Sequence, residues 1–303
     1  MTVNRSDFQR RFKAAPDADD RFIGHDPGDG TGDPFVTDLA GLAAGLAPII
    51  ATDASAISML DTAGNYSATD VEAALAEVFA ARAPFAALYF PGSSGHYVRT
   101  PDAASLDITS DITIVQLLAA ADWTPAATQY TLGKWEGSAN HSYATGIQNT
   151  SGCLQLIVSG NGSESVTATS SVAPTITDGN MLWVKCDWRA SDGRTRFYTA
   201  AYDGTRAIPT SWTQLGTSQT ATTTGSVLYS GAGVLEVGGL EGVNTLRFVG
   251  RIGRATVYSG IDGAATIVAD FNPVIPAAVF RDSTGKIWTV TGASMGWESG
   301  PFS

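Results

Sequence analysis

Apolar and polar residues alternate in short runs from residue 86 onward, and turn-forming residues separate the runs. Alternation with a period of two is typical of β-strands that bury one face. Strands are predicted near residues 86–90, 96–100, 111–119, 128–135, 142–148, 153–159, 165–169, 181–188, 195–202, 212–216, 234–238, 246–258, 266–271 and 278–291. Turn signals such as Asp178-Gly179 and Asp203-Gly204 lie between them. Many short strands at this spacing predict a mostly β domain, a sandwich or barrel, over residues 85–303.

The predicted strand over 181–188 shows how alternation assigns residues to faces. Under strict alternation, one side of this strand carries Leu182, Val184 and Cys186. Trp183 and Trp188 differ in parity, so only one of these two rings can point into a given core.

A helical pattern precedes the strands, in residues 67–84. Residues 67–82 read SATDVEAALAEVFAAR, in which Thr69 and Glu72 form a capping box. The apolar stripe of this predicted helix consists of Val71, Leu75, Val78 and Phe79. We interpret the segment either as a helix that packs on the following domain or as a short oligomerising helix, for example of a trimer. Two heptads are marginal alone in water, so oligomerisation would need contacts from the domains.

Residues 1–66 differ in composition from the rest of the chain, and we interpret them as an extended arm. Residues 16–34 are rich in Asp, Gly and Pro and cannot bury enough apolar surface to fold alone. A basic and aromatic patch near the start of the arm consists of Phe8, Arg11, Phe12 and Lys13. The two Phe residues of this patch are four apart and share a face in a helical conformation. We expect the patch to anchor the arm in a partner protein, and the alternative is a frayed terminus.

Composition and charge narrow the function classes. The chain has 303 residues, 44% of them hydrophobic, 33 glycines and a formal net charge of −11. An acidic surface repels phosphate backbones, so we expect no nucleic-acid partner. No apolar run approaches the length of a membrane span, and the polar N-terminal residues do not resemble a secretory signal. The two cysteines, Cys153 and Cys186, are expected to be free and mostly buried thiols.

Four segments carry a family resemblance. They are YFPG at 89–92, HYVRTPD at 96–102, WVK at 183–185 and FVGRI at 248–252. In this order they resemble the concanavalin A-like, laminin-G-like jelly rolls. The resemblance implies a concanavalin A-like jelly-roll β-sandwich, preceded here by an extended N-terminal arm and one short α-helix. It says little about function, because the fold hosts lectins, glucanases and adhesion modules.

A second resemblance lies in residues 53–77, which include LDTAGNY and the run TDVEAALAE. The segment is similar to a helix common in bacteriophage tail and fibre proteins. It implies a structural virion protein, a minor tail or fibre protein, that displays a lectin-like domain for adhesion to host-surface glycans. Its implied partners are other virion proteins, bound through the arm, and further copies of the same chain. The alternative is a capsid decoration or head-fibre protein without a glycan ligand.

Catalytic patterns are missing from the sequence. The glucanases of the resembling fold place two carboxylates on one strand face, as nucleophile and acid/base. None of the seven Glu residues lies two or four residues from another Glu within a predicted strand, and the three His residues lack zinc-ligand spacing. We therefore expect the protein not to be an enzyme, and a glycoside hydrolase is the least favoured alternative.

Binding residues are suggested by aromatic and acidic positions near predicted loop ends. An aromatic platform for a glycan is suggested at Trp135, Asn140, Tyr143 and Trp212. Calcium is the one cofactor considered, and its candidate ligands are Asp26, Asp29, Asp33, Asp102, Asp107 and Asp111. Asp also caps turns, which is the alternative explanation for all six.

Overall fold

The computed structural model describes residues 21–24, 35–38, 87–137, 139–261, 265–273, 277–292 and 295–298. The chain divides into two units, Met1–Ala81 and Arg82–Ser303, which are described separately. In the first unit, β1 (Arg21–Gly24) and β2 (Phe35–Asp38) form an antiparallel hairpin that the sequence patterns did not predict. The predicted helix over 67–82 and the patch formed by Phe8, Arg11, Phe12 and Lys13 lie outside the described residues.

The second unit is built almost entirely of strands. They are β3 (Ala87–Pro91), β4 (Tyr97–Thr100), β5 (Ile112–Ala120), β6 (Gln129–Lys134), β7 (His141–Ile147), β8 (Leu154–Gly162), β9 (Val166–Thr169), β10 (Leu182–Trp188), β11 (Arg194–Ala201), β12 (Thr213–Gln214), β13 (Gln219–Thr220), β14 (Leu235–Val237), β15 (Val249–Ser259), β16 (Thr266–Phe271), β17 (Val279–Arg281), β18 (Ile287–Thr291) and β19 (Trp297–Glu298). Short 3-10 turns lie at Ala104–Leu106 and Thr224–Ser226. No helix among the described residues is long and apolar enough to cross a membrane.

The strands form two antiparallel sheets that pack as a sandwich. The nine-stranded sheet has the order β12-β11-β10-β5-β15-β3-β19, with β13 paired to β11 and β16 paired to β15. The eight-stranded sheet has the order β17-β18-β4-β14-β6-β7-β8-β9. The predicted mostly β sandwich over the last two thirds of the chain is confirmed. The single strand predicted over 278–291 is two strands, because a turn at Asp282–Lys286 folds it into a hairpin.

The main core lies between the sheets and follows the predicted alternation. Val184, Cys186 and Trp188 of β10 point inward and contact this core. Trp183 belongs to a separate cluster on the outer face of the nine-stranded sheet. The opposite orientation of the two Trp rings is therefore confirmed. Both cysteines are free, as predicted; Cys186 is buried and Cys153 is half-buried.

One polar side chain links the sheets through this core. Gln116 of β5 is buried, and its Oε1 accepts hydrogen bonds from the hydroxyls of Thr131 and Thr145 at 3.0 Å each. These threonines belong to β6 and β7 of the opposite sheet. Apolar packing has no direction, whereas this contact has a defined geometry. It specifies how the sheets are placed against each other.

Candidate functional site

The strand register brings polar residues together on the outer face of the nine-stranded sheet. Asp187 of β10 lies opposite Thr113 of β5 on one side and Arg196 of β11 on the other. Thr113 in turn lies opposite Tyr258 of β15. Directly opposed residues in antiparallel strands share a face. The four side chains therefore form one row across four strands. We call this outer face, with the segment that follows β11, the aromatic face.

Asp187 is the fixed carboxylate of this row. It is 2% exposed, and its Oδ1 accepts a hydrogen bond from Thr113 Oγ1 at 3.0 Å. Its Oδ2 accepts from Arg196 Nη2 at 3.3 Å, and Lys185 Nζ lies 3.8 Å from the same oxygen. A buried carboxylate needs such partners, because removal from water penalises an isolated charge. These contacts orient the carboxylate at the floor of the face.

Lys185 lies one row away, and aromatic rings surround its ammonium. Nζ lies 4.2 Å from the ring centroid of Tyr198 and 5.3 Å from that of Trp212. Both distances suit cation–π attraction. The opposed positions of Lys185 and Tyr198 follow from the β10–β11 register.

The segment between β11 and β12 positions Trp212. Tyr202, Ile208 and Trp212 pack against the apolar cluster that contains Met181 and Trp183. This cluster buries the part of the outer face beside Lys185, and the segment thereby forms a wall above the sheet. Trp183 therefore packs in the cluster beneath the site, and not in the core between the sheets.

A cavity of about 140 Å³ opens between this wall and the row of polar residues. Trp212 and Tyr258 line it together with Lys185, Asp187 and Thr113. A second, larger cavity of about 440 Å³ runs along the segment that follows β11 and shares Ile208 with the first. The phenol of Tyr258 can donate a hydrogen bond, and burial raises its pKa above the ordinary value.

The chemistry of the cavity suits binding. Aromatic surfaces with a few oriented polar groups hold small ligands that have both apolar and hydroxyl-bearing faces, as sugar rings do. Glycoside hydrolysis needs two carboxyl groups that flank the bond. Asp187 is the sole carboxylate among the described residues that line the cavity, and Thr113 and Arg196 already bind its oxygens.

The four predicted platform residues lie in three different places. Trp212 lines the cavity of the aromatic face. Trp135 lies on the outer face of the eight-stranded sheet and stacks on His141, with ring centroids 4.2 Å apart. Asn140, beside it, donates a hydrogen bond to Glu136 Oε2 at 2.6 Å. Tyr143 is fully buried in the main core, where burial raises the pKa of its phenol.

Two of the calcium candidates lie beside the ammonium of a lysine. The ammonium of Lys134, which is fully buried, lies 2.5 Å from Asp102 Oδ1 and 3.4 Å from Asp107 Oδ1. It also donates hydrogen bonds to the backbone carbonyls of Gly231 and Gly233. This oxygen cage does not fit calcium, because the ammonium already takes the position between the carboxylates.

The remaining calcium candidates do not join this cage. Asp111 Oδ1 accepts a hydrogen bond from the backbone N–H of Ala190 at 2.8 Å. Asp26, Asp29 and Asp33 lie outside the described residues. Within the described ranges, no three His, Cys, Asp or Glu side chains cluster closely enough to hold a metal ion.

Sequence reasoning missed most of the cavity, although one signal pointed to it. The alternation that places Val184 and Cys186 on the core side places Lys185 and Asp187 together on the other side. Two charges that alternate with buried apolar residues mark an outer face. Tyr258 had no comparable signal, because its position beside Thr113 depends on the non-local pairing of β5 with β15.

No family model and no curated protein matches the chain. Solved structures of low sequence identity align with parts of the chain. A heptameric SAP-like pentraxin from Limulus polyphemus is 16% identical, with 56% of this chain and 74% of the pentraxin covered, at a TM-score of 0.40. The CBM40 of the Ruminococcus gnavus IT-sialidase, solved with α2,3-sialyllactose, is 13% identical, with 59% and 91% covered and a TM-score of 0.40. The extracellular region of zebrafish Gpr126/Adgrg6 is 16% identical, with 72% of this chain but 27% of that protein covered, at a TM-score of 0.41. Similarity at this level does not extend to function.

Proposed function

We propose that the sandwich is a glycan-binding module without catalytic activity, and that the cavity of the aromatic face holds the sugar. The observation that carries this proposal is the pairing of Trp212 and Tyr258 around the oriented groups of Lys185, Asp187 and Thr113. The rings offer apolar surface to the C–H face of a sugar, and the polar groups bind its hydroxyls.

We propose further that the chain is a bacteriophage virion protein, and that the module binds a glycan on the host surface. The support is the resemblance of residues 53–77 to the helix of phage tail and fibre proteins. In this proposal the arm over residues 1–66 binds other virion proteins. The helix over 67–84 joins copies of the chain, with a trimer as the expected oligomer.

A glycan array with the full chain tests the binding proposal. Trp212→Ala removes one aromatic wall, and we expect it to weaken binding at least about tenfold, since aromatic contacts and buried area both disappear. The matched control is Tyr97→Ala, which removes a partly exposed ring that packs under Arg99 on the other sheet. The control should bind as the wild type does.

Two results would contradict the proposal. An equal loss of glycan binding in Trp212→Ala and Tyr97→Ala would show that the site does not lie in the cavity. Silence of the wild type across host cell-wall and capsule sugars would favour a decoration protein without a glycan ligand. Antibody labelling of intact phage particles tests the placement, and we expect label at the tail or its fibres.

A further inference from the structure

The ammonium of Lys185 has hydrogen-bond donors that the protein leaves unused. A lysine ammonium carries three N–H donors. In the part of the chain that the structure describes, its nearest carboxylate oxygen is Asp187 Oδ2 at 3.8 Å, beyond hydrogen-bonding distance. Its other contacts are the ring faces of Tyr198 and Trp212, which attract the charge but are not oxygen acceptors. The donors therefore face the cavity.

Asp187 is shared between two cations, and Lys185 is the more distant of them. Among the described residues, the acidic oxygen nearest to the Lys185 ammonium is Asp187 Oδ2, and this oxygen lies closer to Arg196, at 3.3 Å, than to Lys185, at 3.8 Å. Further along the same face, Arg254 is paired with Asp270, with Nε 2.8 Å from Oδ1. Asp187 therefore compensates the charge of Lys185 only through a long contact, at 3.8 Å, on a chain whose formal net charge is −11.

The surroundings of this charge strengthen its attraction for an anion. The Lys185 side chain is 18% exposed, and aromatic rings replace water around it. A charge-assisted hydrogen bond gains strength in such a partly dry site. A hydroxyl could accept from the same donors, but only an anion would add to the partial charge compensation that Asp187 gives Lys185.

We infer that the cavity selects glycans that carry a carboxylate, that is, acidic sugars. The carboxylate binds Lys185 Nζ, and the sugar ring packs between Trp212 and Tyr258. This inference rests on the proposed glycan-binding function and names its ligand class. Uronic acids and sialic acids share the required group.

Matched ligands test the inference with the full chain. Oligogalacturonate and 3′-sialyllactose are each compared with the same sugar after reduction of its carboxylate to an alcohol. We expect the wild type to prefer the carboxylated form of at least one pair by about tenfold or more in Kd, the effect of one charge-assisted hydrogen bond. The pair that shows the preference identifies the source of the carboxylate. Added salt should reduce the preference.

Two lysine variants sharpen the test. Lys185→Met keeps most of the length of the side chain and removes its charge, and we expect it to bind both members of the pair equally. Lys286→Met is the control, because Lys286 binds Ser105 Oγ at 2.6 Å in the turn between β17 and β18. Its preference should match that of the wild type.

The outcomes separate the inference from the function on which it rests. If the wild type binds neutral and acidic sugars equally and Trp212→Ala abolishes binding, the inference is wrong and the glycan-binding function stands. A preference that survives in Lys185→Met also contradicts the inference. If the wild type binds no sugar of either kind on the array, the proposed function and the inference both fail.

Discussion

Lys134 and Lys185 are both largely buried, and their surroundings differ completely. Oxygen atoms of Asp102, Asp107, Gly231 and Gly233 surround Lys134. Ring faces surround Lys185, and its nearest acidic oxygen is 3.8 Å away. The oxygen cage uses the donors of Lys134 within the fold, whereas those of Lys185 remain available. The first arrangement serves stability, and the second suits a ligand.

The largest expected effect on this contrast between the two lysines comes from removing the charge of Lys134. Lys134→Met would leave two carboxylates close together without their cation. We expect a loss of about 2–3 kcal/mol in the free energy of unfolding. This is below the usual value for a broken buried pair, because Asp102 and Asp107 are 32% and 33% exposed and water screens them. Urea unfolding measures the loss. A variant as stable as the wild type would show that the cage does not stabilise the fold.

Asp282 is a carboxylate in a similar situation to Lys134, because its oxygens accept hydrogen bonds from within the fold. Its oxygens accept hydrogen bonds from Trp288 Nε1 at 3.0 Å and from the backbone N–H groups of Asp270, Thr284 and Lys286. Burial alone would raise the pKa of Asp282, but these hydrogen bonds together lower it below its ordinary value. We expect Asp282→Asn to cost about 1–2 kcal/mol at pH 7.

The lowered pKa of Asp282 also sets a pH dependence. The unfolded carboxyl has a pKa of about 3.9, so the stability that the charged group contributes is fully present above that pH. It is lost as the pH falls through the lower pKa of the folded state. Between pH 6 and pH 3, the free energy of unfolding should therefore fall further for the wild type than for Asp282→Asn. Equal losses would show that this carboxylate does not contribute to acid unfolding.

The smallest expected effect concerns the stability of Lys185→Met. Its contacts are cation–π attractions and one long ion pair, so we expect the free energy of unfolding to change by no more than about 1 kcal/mol. The same urea measurement that detects Lys134→Met checks this value. A loss as large as that of Lys134→Met would show that Lys185 is structural, and the contrast between the two lysines would disappear.

Alternation in the sequence predicted most strands, because it is a local property of each strand. It also placed Trp183 and Trp188 on opposite faces of β10, as found. The two-residue strands β13 and β19 are too short to produce a pattern of their own, and they were not predicted.

The site was less predictable, because it depends on pairing between distant strands. The sequence identifies Trp212 as an aromatic residue near a loop end. Its neighbours Tyr258 and Thr113 are 145 positions apart in the sequence and meet only through the β5–β15 register. Likewise, the sequence suggests Asp102 and Asp107 as calcium ligands, because nothing local shows that Lys134 reaches them from β6.

The pairing of β3 with β19 has a consequence for how the domain can be attached. Ala87 of the first strand of the sandwich lies opposite Glu298 of the last described strand, so the first and last described residues of the sandwich are neighbours. These residues lie at one edge of the nine-stranded sheet, about 19 Å across four strand spacings from β10. A domain with adjacent ends can be transplanted whole into a surface loop of another protein. Such a graft would hold the sandwich by one edge and leave the aromatic face open to solvent.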